Sequence, residues 1–104
     1  MSYRISISGP AVADIKETVG YIANEMKNPK AADEHLRGFM DTIRSLEEMP
    51  KRYQLSDDSE LRELGIRFVS FRNFLIAYSV IDDENVVEVY RILYSRSDLK
   101  QKLI

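Results

Sequence analysis

Two runs of apolar residues in the second half of the chain predict a β-hairpin around which the fold is built. The runs cover residues 74–81 and 86–94, are rich in aromatic and β-branched residues, and contain no Gly or Pro. The four polar residues between them are typical of a short turn. Because both runs are apolar on both faces of the pleat, one face must lie against helices, and the other should form a partly covered surface.

The first half of the chain supplies the expected helical cover. Alternating apolar residues at positions 3–7 predict a half-buried strand. Apolar residues then recur every three or four positions in two segments, which predicts two amphipathic helices. Asn28 is the expected N-cap of the second helix, Pro29 its first residue, and Pro50 its end. On the first helix, Asp14 is expected to face water. The two apolar stripes are Val12, Ile15, Val19, Ile22 and Met26, followed by Ala32, Leu36, Phe39, Ile43 and Leu46.

The middle of the chain predicts a polar connection and one more strand. Residues 51–65 are mostly polar, with a short helical turn expected at 59–64 and Gly65 as its cap. Residues 66–71 alternate loosely and are expected to form the strand that enters the hairpin. The order β-α-α-β-β-β predicts an α+β fold, in which a helical hairpin packs on one face of a mainly antiparallel sheet. The second face should then be available for a partner. A length of 104 residues fits one domain covering 1–104.

Composition narrows the classes of function. The chain is 44% hydrophobic and 31% charged, as in ordinary globular proteins, and its formal net charge of -2 gives no overall attraction to nucleic acid or to an anionic membrane. The absence of cysteine excludes disulfides and thiolate metal sites. Neither a signal pattern nor an apolar run of membrane-spanning length is present. We therefore expect a cytoplasmic protein without a membrane partner.

The single histidine gives little indication of catalysis. His35 falls in the middle of the second predicted helix, and no Asp, Cys or second His is placed to complete a catalytic or metal-binding set. We interpret it as a partly exposed helix residue, and we expect neither a metal nor a cofactor. The four glycines are scattered singly, which excludes a phosphate-binding Gly-rich loop.

The basic residues of the second half are the stronger indication of a functional surface. The first 65 residues hold 9 basic and 12 acidic side chains, whereas residues 66–104 hold 6 and 5. The local field near the C-terminal end of the sheet is therefore predicted to be positive. The six basic residues on or beside the predicted sheet are Arg67, Arg72, Arg91, Arg96, Lys100 and Lys102.

Arg91 stands out within the last strand. Strict alternation places it with the apolar residues Val87, Val89 and Leu93, so that either its side chain is paired beneath the sheet surface or a bulge turns it outward. The same alternation predicts that Tyr90 and Tyr94 share a face with Ile92.

Several segments in order resemble the ParE/RelE superfamily of bacterial toxins. The closing segment of ParE-like members, with its Arg-aliphatic-Leu-His/Tyr step and basic–acidic pair, is similar to residues 86–99, VVEVYRILYSRSDL. The first helix, the Asn-Pro break and the Ala-Ala helix start of the family are similar to residues 14–36, DIKETVGYIANEMKNPKAADEHL. Residues 46–50 match a Leu-x-x-x-Pro ending, and residues 74–78 match a Tyr-Leu-Ile-x-Tyr strand. Only the polar loop 54–62 falls outside the resemblance.

The resemblance implies a toxin of a type II toxin–antitoxin system, of the plasmid-stabilisation type. Such a toxin is neutralised by a cognate antitoxin encoded alongside it, with which it forms a hetero-oligomer. Within the superfamily, ParE-like members act on DNA gyrase, whereas RelE-like members cleave mRNA in the ribosomal A site with Arg and Lys side chains and a Tyr, His or Glu. A third alternative is a module with the toxin fold that has lost toxicity and only binds a partner.

The expected target-binding residues lie at the end of the chain. They are Arg91, Tyr94, Arg96, Lys100 and Lys102; if the protein is a ribonuclease, Arg96, Tyr94 and Arg91 are the candidates for catalysis. However, Leu75 occupies the strand position where RelE-like toxins carry an arginine, and the lysine pair before that strand is missing. A ribosome-binding nuclease is also usually strongly basic. We therefore expect a gyrase inhibitor that binds protein and is not an enzyme.

Overall fold

The predicted order of elements is present in the computed structural model, which describes residues 2–94 and 102–103. The strands and helices are β1 (Arg4–Ile7), α1 (Gly9–Asn24), α2 (Pro29–Arg44), α3 (Ser59–Glu63), β2 (Arg67–Phe71), β3 (Phe74–Ile81) and β4 (Val86–Leu93). Short 3-10 turns lie at Ser45–Glu47, Pro50–Arg52 and Asp82–Glu84. The predicted α+β fold, with a helical hairpin packed on a mainly antiparallel sheet, is confirmed.

The four strands form one sheet in the order β1-β4-β3-β2. The predicted hairpin β3–β4 is the central pair, β2 adds to it antiparallel, and β1 pairs with β4 in parallel. The register of the hairpin shifts once, because Tyr78 pairs with Val89 whereas Ala77 pairs with Arg91. Tyr90 is therefore an extra residue in β4, that is, a β-bulge.

Both long helices begin at side-chain caps. The Ser8 hydroxyl accepts a hydrogen bond from the amide of Ala11 at 3.1 Å, and the Asn28 side chain does the same for Ala31 at 3.1 Å, as predicted for Asn28. The second helix ends at Arg44, not at Pro50 as the pattern predicted. A 3-10 turn follows, a common way for a helix to tighten at its C-terminus, and it carries the last residue of the predicted stripe, the fully buried Leu46.

The main core lies between the helices and the first face of the sheet. It joins Ala11 and Ile15 of α1 and Phe39 and Ile43 of α2 to the inward side chains of the strands. Not every residue of the predicted stripes is buried, because Val12 and Leu36 are each more than a third exposed and Met26 is 59% exposed. Strand residues that complete the core are Val69, Phe74, Ile76, Tyr78, Val87, Val89 and Ile92.

Gly38 in α2 provides a sharp test of this packing. The ring of Phe71 lies so close to the Gly38 backbone that a Cβ atom there would overlap it. We expect Gly38→Ala to lower the free energy of unfolding by about 1–3 kcal/mol, because overpacking outweighs the gain in helix propensity. Gly20→Ala in α1 is the matched control, since no atom lies within 4 Å of its added Cβ. That variant should stabilise the protein by about 0.5–1 kcal/mol. Denaturant unfolding of both variants checks the prediction. Equal changes in the free energy of unfolding in the two variants would contradict it.

The second face of the sheet is covered more than the sequence indicated. Leu61 of α3 is fully buried and forms a second cluster with Ile66 and Ala77, against which Phe68, Tyr90 and Leu103 pack. The predicted helical turn is thus confirmed, as is Gly65 in the left-handed conformation (φ 77°). Because α3 lies over this face, the expectation of a second face open to a partner is wrong for the part beneath Leu61.

No helix among residues 2–94 and 102–103 has the length and apolar character needed to cross a bilayer.

Candidate functional site

A buried carboxylate lies where β1 ends and β4 continues. Asp14, in the second turn of α1, is only 8% exposed. Its two carboxylate oxygens accept hydrogen bonds from Nε and Nη2 of Arg91, each at 2.9 Å. A third bond comes from the backbone amide of Ile92, also at 2.9 Å. The prediction that Asp14 faces water is therefore wrong, because its buried carboxylate accepts the hydrogen bonds of Arg91 and of the Ile92 amide near the end of β4.

Asp14 and Ser8 together replace the strand that β4 lacks at this edge. β1 pairs with β4 only as far as Val89. Beyond this point the Ser8 hydroxyl donates to the carbonyl of Tyr90 at 2.7 Å, and Asp14 accepts from the amide of Ile92. The N-terminal turns of α1 thus satisfy backbone groups that an edge strand would leave unpaired.

The bulge at Tyr90 explains why Arg91 departs from the alternation of β4. Tyr90 packs in the second-face cluster, and its hydroxyl lies 2.9 Å from that of Ser79, whereas Ile92 lies in the main core. The prediction that Tyr90 shares a face with Ile92 is wrong, since the bulge resets the alternation between them. The sequence predicted either a paired Arg91 side chain or a bulge, and the structure contains both.

The electrostatics of the pair favour its charged state. Burial by itself raises the pKa of Asp14, but the hydrogen bonds from Arg91 and the Ile92 amide, with the charges of Lys102 and Arg91, outweigh burial and leave this pKa below its ordinary value. The hydrogen bond to Asp14 likewise raises the pKa of Arg91. Although the Arg91 guanidinium is bound to the carboxylate, the Arg91 side chain remains 25% exposed to water.

The other predicted site residues fall into three places. Lys102 extends to the same carboxylate, with Nζ 3.7 Å from Oδ1 of Asp14. Tyr94, which directly follows β4, is not among the residues that contact Asp14 and is 63% exposed. Arg96 and Lys100 lie outside the described residues.

Tyr94 borders a groove of about 710 Å³ between the helices and the sheet. Its ring contacts Phe74 edge-on, with the ring centroids 5.4 Å apart, and His35 contacts the same Phe74 at 6.2 Å. Two more large side chains on the groove, Tyr21 of α1 and Met26 just after this helix, are 60% and 59% exposed. Three strongly exposed apolar or aromatic side chains in one concave surface are typical of a site that binds a partner.

Two polar side chains of the groove are fixed in place. Nδ1 of His35 lies 2.9 Å from the carbonyl oxygen of Ala31, which accepts a hydrogen bond from it. Arg72 has a left-handed backbone (φ 54°), which is uncommon outside glycine, and its guanidinium stacks on Phe71 and lies 3.8 Å from Glu34. Arg72 is the one Lys or Arg among the described residues that line the groove, and its charge is partly neutralised by Glu34, with Glu17 also on the lining. A phosphate would therefore find little positive charge among these described residues.

Sequence reasoning missed both clusters for different reasons. Asp14 carried a signal, because it lies next to the apolar Ile15 and three residues after Ala11, on the flank of the buried stripe, while Arg91 was already an unexplained cation on an apolar strand. A buried carboxylate on that helix could therefore have been predicted as the partner of Arg91. The convergence of His35, Arg72 and Tyr94 carried no signal, since they come from three separate elements.

The described part of the chain contains no group of His, Cys, Asp or Glu side chains arranged to hold a metal ion. Asp14 is instead bound by Arg91 and by the backbone amide of Ile92.

Comparison with known proteins gives the family. The family model described as the ParE toxin of the type II toxin–antitoxin system parDE matches residues 5–99. No protein of curated function matches the sequence significantly.

Three similar solved structures share the fold. One is titled the chromosomal ParDE toxin–antitoxin system from P. aeruginosa; it is 13% identical, with a TM-score of 0.74 over 91% of this chain and 98% of that one. The toxin–antitoxin complex RelBE2 from Mycobacterium tuberculosis is 17% identical, with a TM-score of 0.65 over 89% and 98% of the two chains. A substituted form of the E. coli toxin RelE in the free state is 14% identical, with a TM-score of 0.66 over 98% and 94%. Because the family match spans residues 5–99, the chain belongs to the ParE family of toxins of type II toxin–antitoxin systems.

Proposed function

We propose that this toxin binds and inhibits DNA gyrase, that it does not cleave RNA, and that a cognate antitoxin neutralises it in a hetero-oligomeric complex. One observation carries the choice between the two activities of the superfamily. Leu75, which replaces an arginine of RelE-like toxins, lines a pocket of about 270 Å³ together with Phe68. Among its described lining residues none is Lys or Arg, and Asp57 and Asp58 border it.

This pocket is unsuited to phosphodiester cleavage. Cleavage needs cations to stabilise the charge that develops on the phosphate, and a base and an acid within hydrogen-bond reach of the reacting atoms. A phosphate placed against Leu75 would meet apolar side chains and carboxylates. Arg91, a second cation that the nuclease alternative needs, is occupied by Asp14 in two hydrogen bonds. These observations favour an activity based on protein binding.

The groove beside Tyr94 supports the antitoxin as partner. Its exposed Tyr21, Met26 and Tyr94 would be covered by the apolar face of an antitoxin segment, and Tyr is among the residues enriched at the energetic centres of interfaces. The titles of two similar structures name toxin–antitoxin systems or complexes, which agrees with such a partner for this chain.

The decisive experiment compares two activities of one purified preparation. We expect the toxin to inhibit DNA supercoiling by gyrase and to leave mRNA intact on programmed ribosomes, because the described residues around Leu75 and Arg91 do not assemble the cations and the base required for cleavage. Supercoiling is followed by gel electrophoresis and mRNA ends by primer extension. Arg96→Ala is expected to lose inhibition, and Arg44→Ala, an exposed arginine on α2, is its control.

The possible outcomes separate all three candidate functions. Discrete cleavage in the ribosomal A site that disappears in Tyr94→Phe would make the protein a ribonuclease and overturn the proposal. Expression without growth arrest, together with antitoxin binding, would leave a binding module that has lost toxicity. Inhibition of gyrase that the added antitoxin reverses is the expected result.

A further inference from the structure

Two distant points of the C-terminal part of the chain meet at one buried carboxylate. Arg91 and the amide of Ile92 bind Asp14 before residues 93–101, and Lys102 reaches Asp14 after them, with Nζ 3.7 Å from Oδ1. Lys102 and Leu103 are the described residues that follow β4 and Tyr94. Asp14 therefore contacts the chain on both sides of this segment.

The apolar neighbour of Lys102 is docked as well. Leu103 is half-buried and packs against the second-face cluster of Leu61, Ile66 and Ala77. Next to it lies a cavity of about 390 Å³, bordered by the hydrocarbon parts of Pro10, Tyr90, Leu64 and the two docked residues. The end of the chain is thus held by one ionic and one apolar contact, to two different parts of the fold.

We propose that Asp14 is a positioning residue for Lys102 and Leu103, and that docking of Lys102 on Asp14 and of Leu103 on the second-face cluster is required for full toxicity. This inference rests on the proposed function in one respect, namely that residues at the C-terminal end contact the target. Residues that are already docked lose less conformational freedom when the target binds, so their docking raises affinity without adding a contact.

The docking contacts are weak enough to be separated from folding. The Lys102 side chain is 33% exposed, and ion pairs of this kind add little to stability. The bonds from Arg91 and Ile92 to Asp14 do not depend on Lys102. A variant of Lys102 should therefore undock Lys102 and Leu103 and leave the remaining described fold, including the groove at Tyr94, intact.

The docking itself is tested without any target. Because the chain contains no tryptophan, Leu103→Trp introduces a single tryptophan next to a cavity that has room for its ring. We expect acrylamide, a neutral quencher whose access does not depend on local charge, to quench this tryptophan at least twofold less than the Trp of Met49→Trp, a position that is 73% exposed. Adding Lys102→Glu, which places a second carboxylate beside Asp14, should raise quenching of the Leu103→Trp protein towards the Met49→Trp value.

The functional requirement is tested by charge variants of the full chain. Lys102→Glu is expected to weaken gyrase inhibition and growth arrest tenfold or more, with a fall in the unfolding midpoint smaller than that caused by Asp14→Ala. Lys102→Arg keeps the cation and should restore both. Lys16→Glu, an exposed change on α1 that alters the net charge equally, should leave toxicity as it is.

Each result decides the matter. Leu103→Trp quenched as strongly as Met49→Trp would overturn the docking. Quenching that rises in Lys102→Glu while growth arrest is unchanged would overturn the positioning role. If the wild type arrests growth but does not inhibit gyrase, the proposed target is wrong, and the quenching and growth-arrest results still test this inference.

Discussion

Asp14→Ala is expected to lower the free energy of unfolding by about 3 kcal/mol, the largest stability effect among the substitutions considered. The change removes two charge-assisted hydrogen bonds from Arg91 and leaves the amide of Ile92 without its acceptor. An unsatisfied buried amide costs about 1–3 kcal/mol, and breaking a buried ion pair typically costs about 3–5 kcal/mol. Because the Arg91 side chain is partly exposed and can turn towards water, we expect a cost at the low end of the range for a buried ion pair. A domain of this size has only about 5–15 kcal/mol of stability.

The measurement is denaturant or thermal unfolding with a matched exposed pair as control. Asp33 and Arg37 on α2 form an ion pair one helical turn apart in which both side chains are more than half exposed, so Asp33→Ala should cost no more than about 0.5 kcal/mol. For a domain of about 100 residues, a loss of 3 kcal/mol lowers Tm by roughly 12–24 °C. Equal losses of stability in Asp14→Ala and Asp33→Ala would show that the burial of Asp14 contributes nothing to the stability of the fold.

The pH dependence of the same variant has a defined sign. The pKa of Asp14 is lower in the folded protein than its ordinary value, so its contribution to stability is complete above the pKa of the unfolded chain, near 4. That contribution is lost as pH falls through the lower folded pKa. The difference in stability between the wild type and Asp14→Ala should therefore be constant around neutral pH and shrink below about pH 4. A difference that grows on acidification would contradict the assignment.

The second large effect is expected in antitoxin binding. Tyr21→Ala and Tyr94→Ala should each weaken the toxin–antitoxin complex about 30-fold or more, since a central aromatic side chain at an interface contributes about 2 kcal/mol or more. The side chains line the same groove from α1 and from the end of β4 and are 60% and 63% exposed in the toxin alone. Being exposed, they can be truncated with little loss of stability.

Titration calorimetry with the cognate antitoxin measures this effect. Met49→Ala removes an equally exposed apolar side chain that lies outside the groove and should leave the affinity unchanged. In cells, co-expressed antitoxin should neutralise the Met49 variant but protect less well against the two tyrosine variants. An affinity that falls equally for all three positions would point to another docking surface.

The local pattern of the sequence determined the elements and most of their limits. Spacings of three and four residues identified α1 and α2, and alternation with β-branched and aromatic residues identified the strands. Asn28 was recognisable as a cap and Gly65 as a left-handed residue because their roles depend only on neighbouring backbone groups. The end of α2 was misjudged, since the 3-10 turn after Arg44 continues the apolar spacing of a helix.

Only the tertiary structure decided which charged groups are buried and which residues share a surface. Asp14 and Arg91 are 77 residues apart in sequence, and neither spacing nor propensity relates them; the bulge at Tyr90 and the early end of β1 bring them together. His35, Arg72 and Tyr94 likewise meet through packing alone. The sequence by itself determines the order and type of the elements, because apolar and polar residues alternate with a fixed period along each helix and strand. Pairing of polar groups is decided in three dimensions, because a buried donor takes whichever acceptor the fold places within about 3 Å.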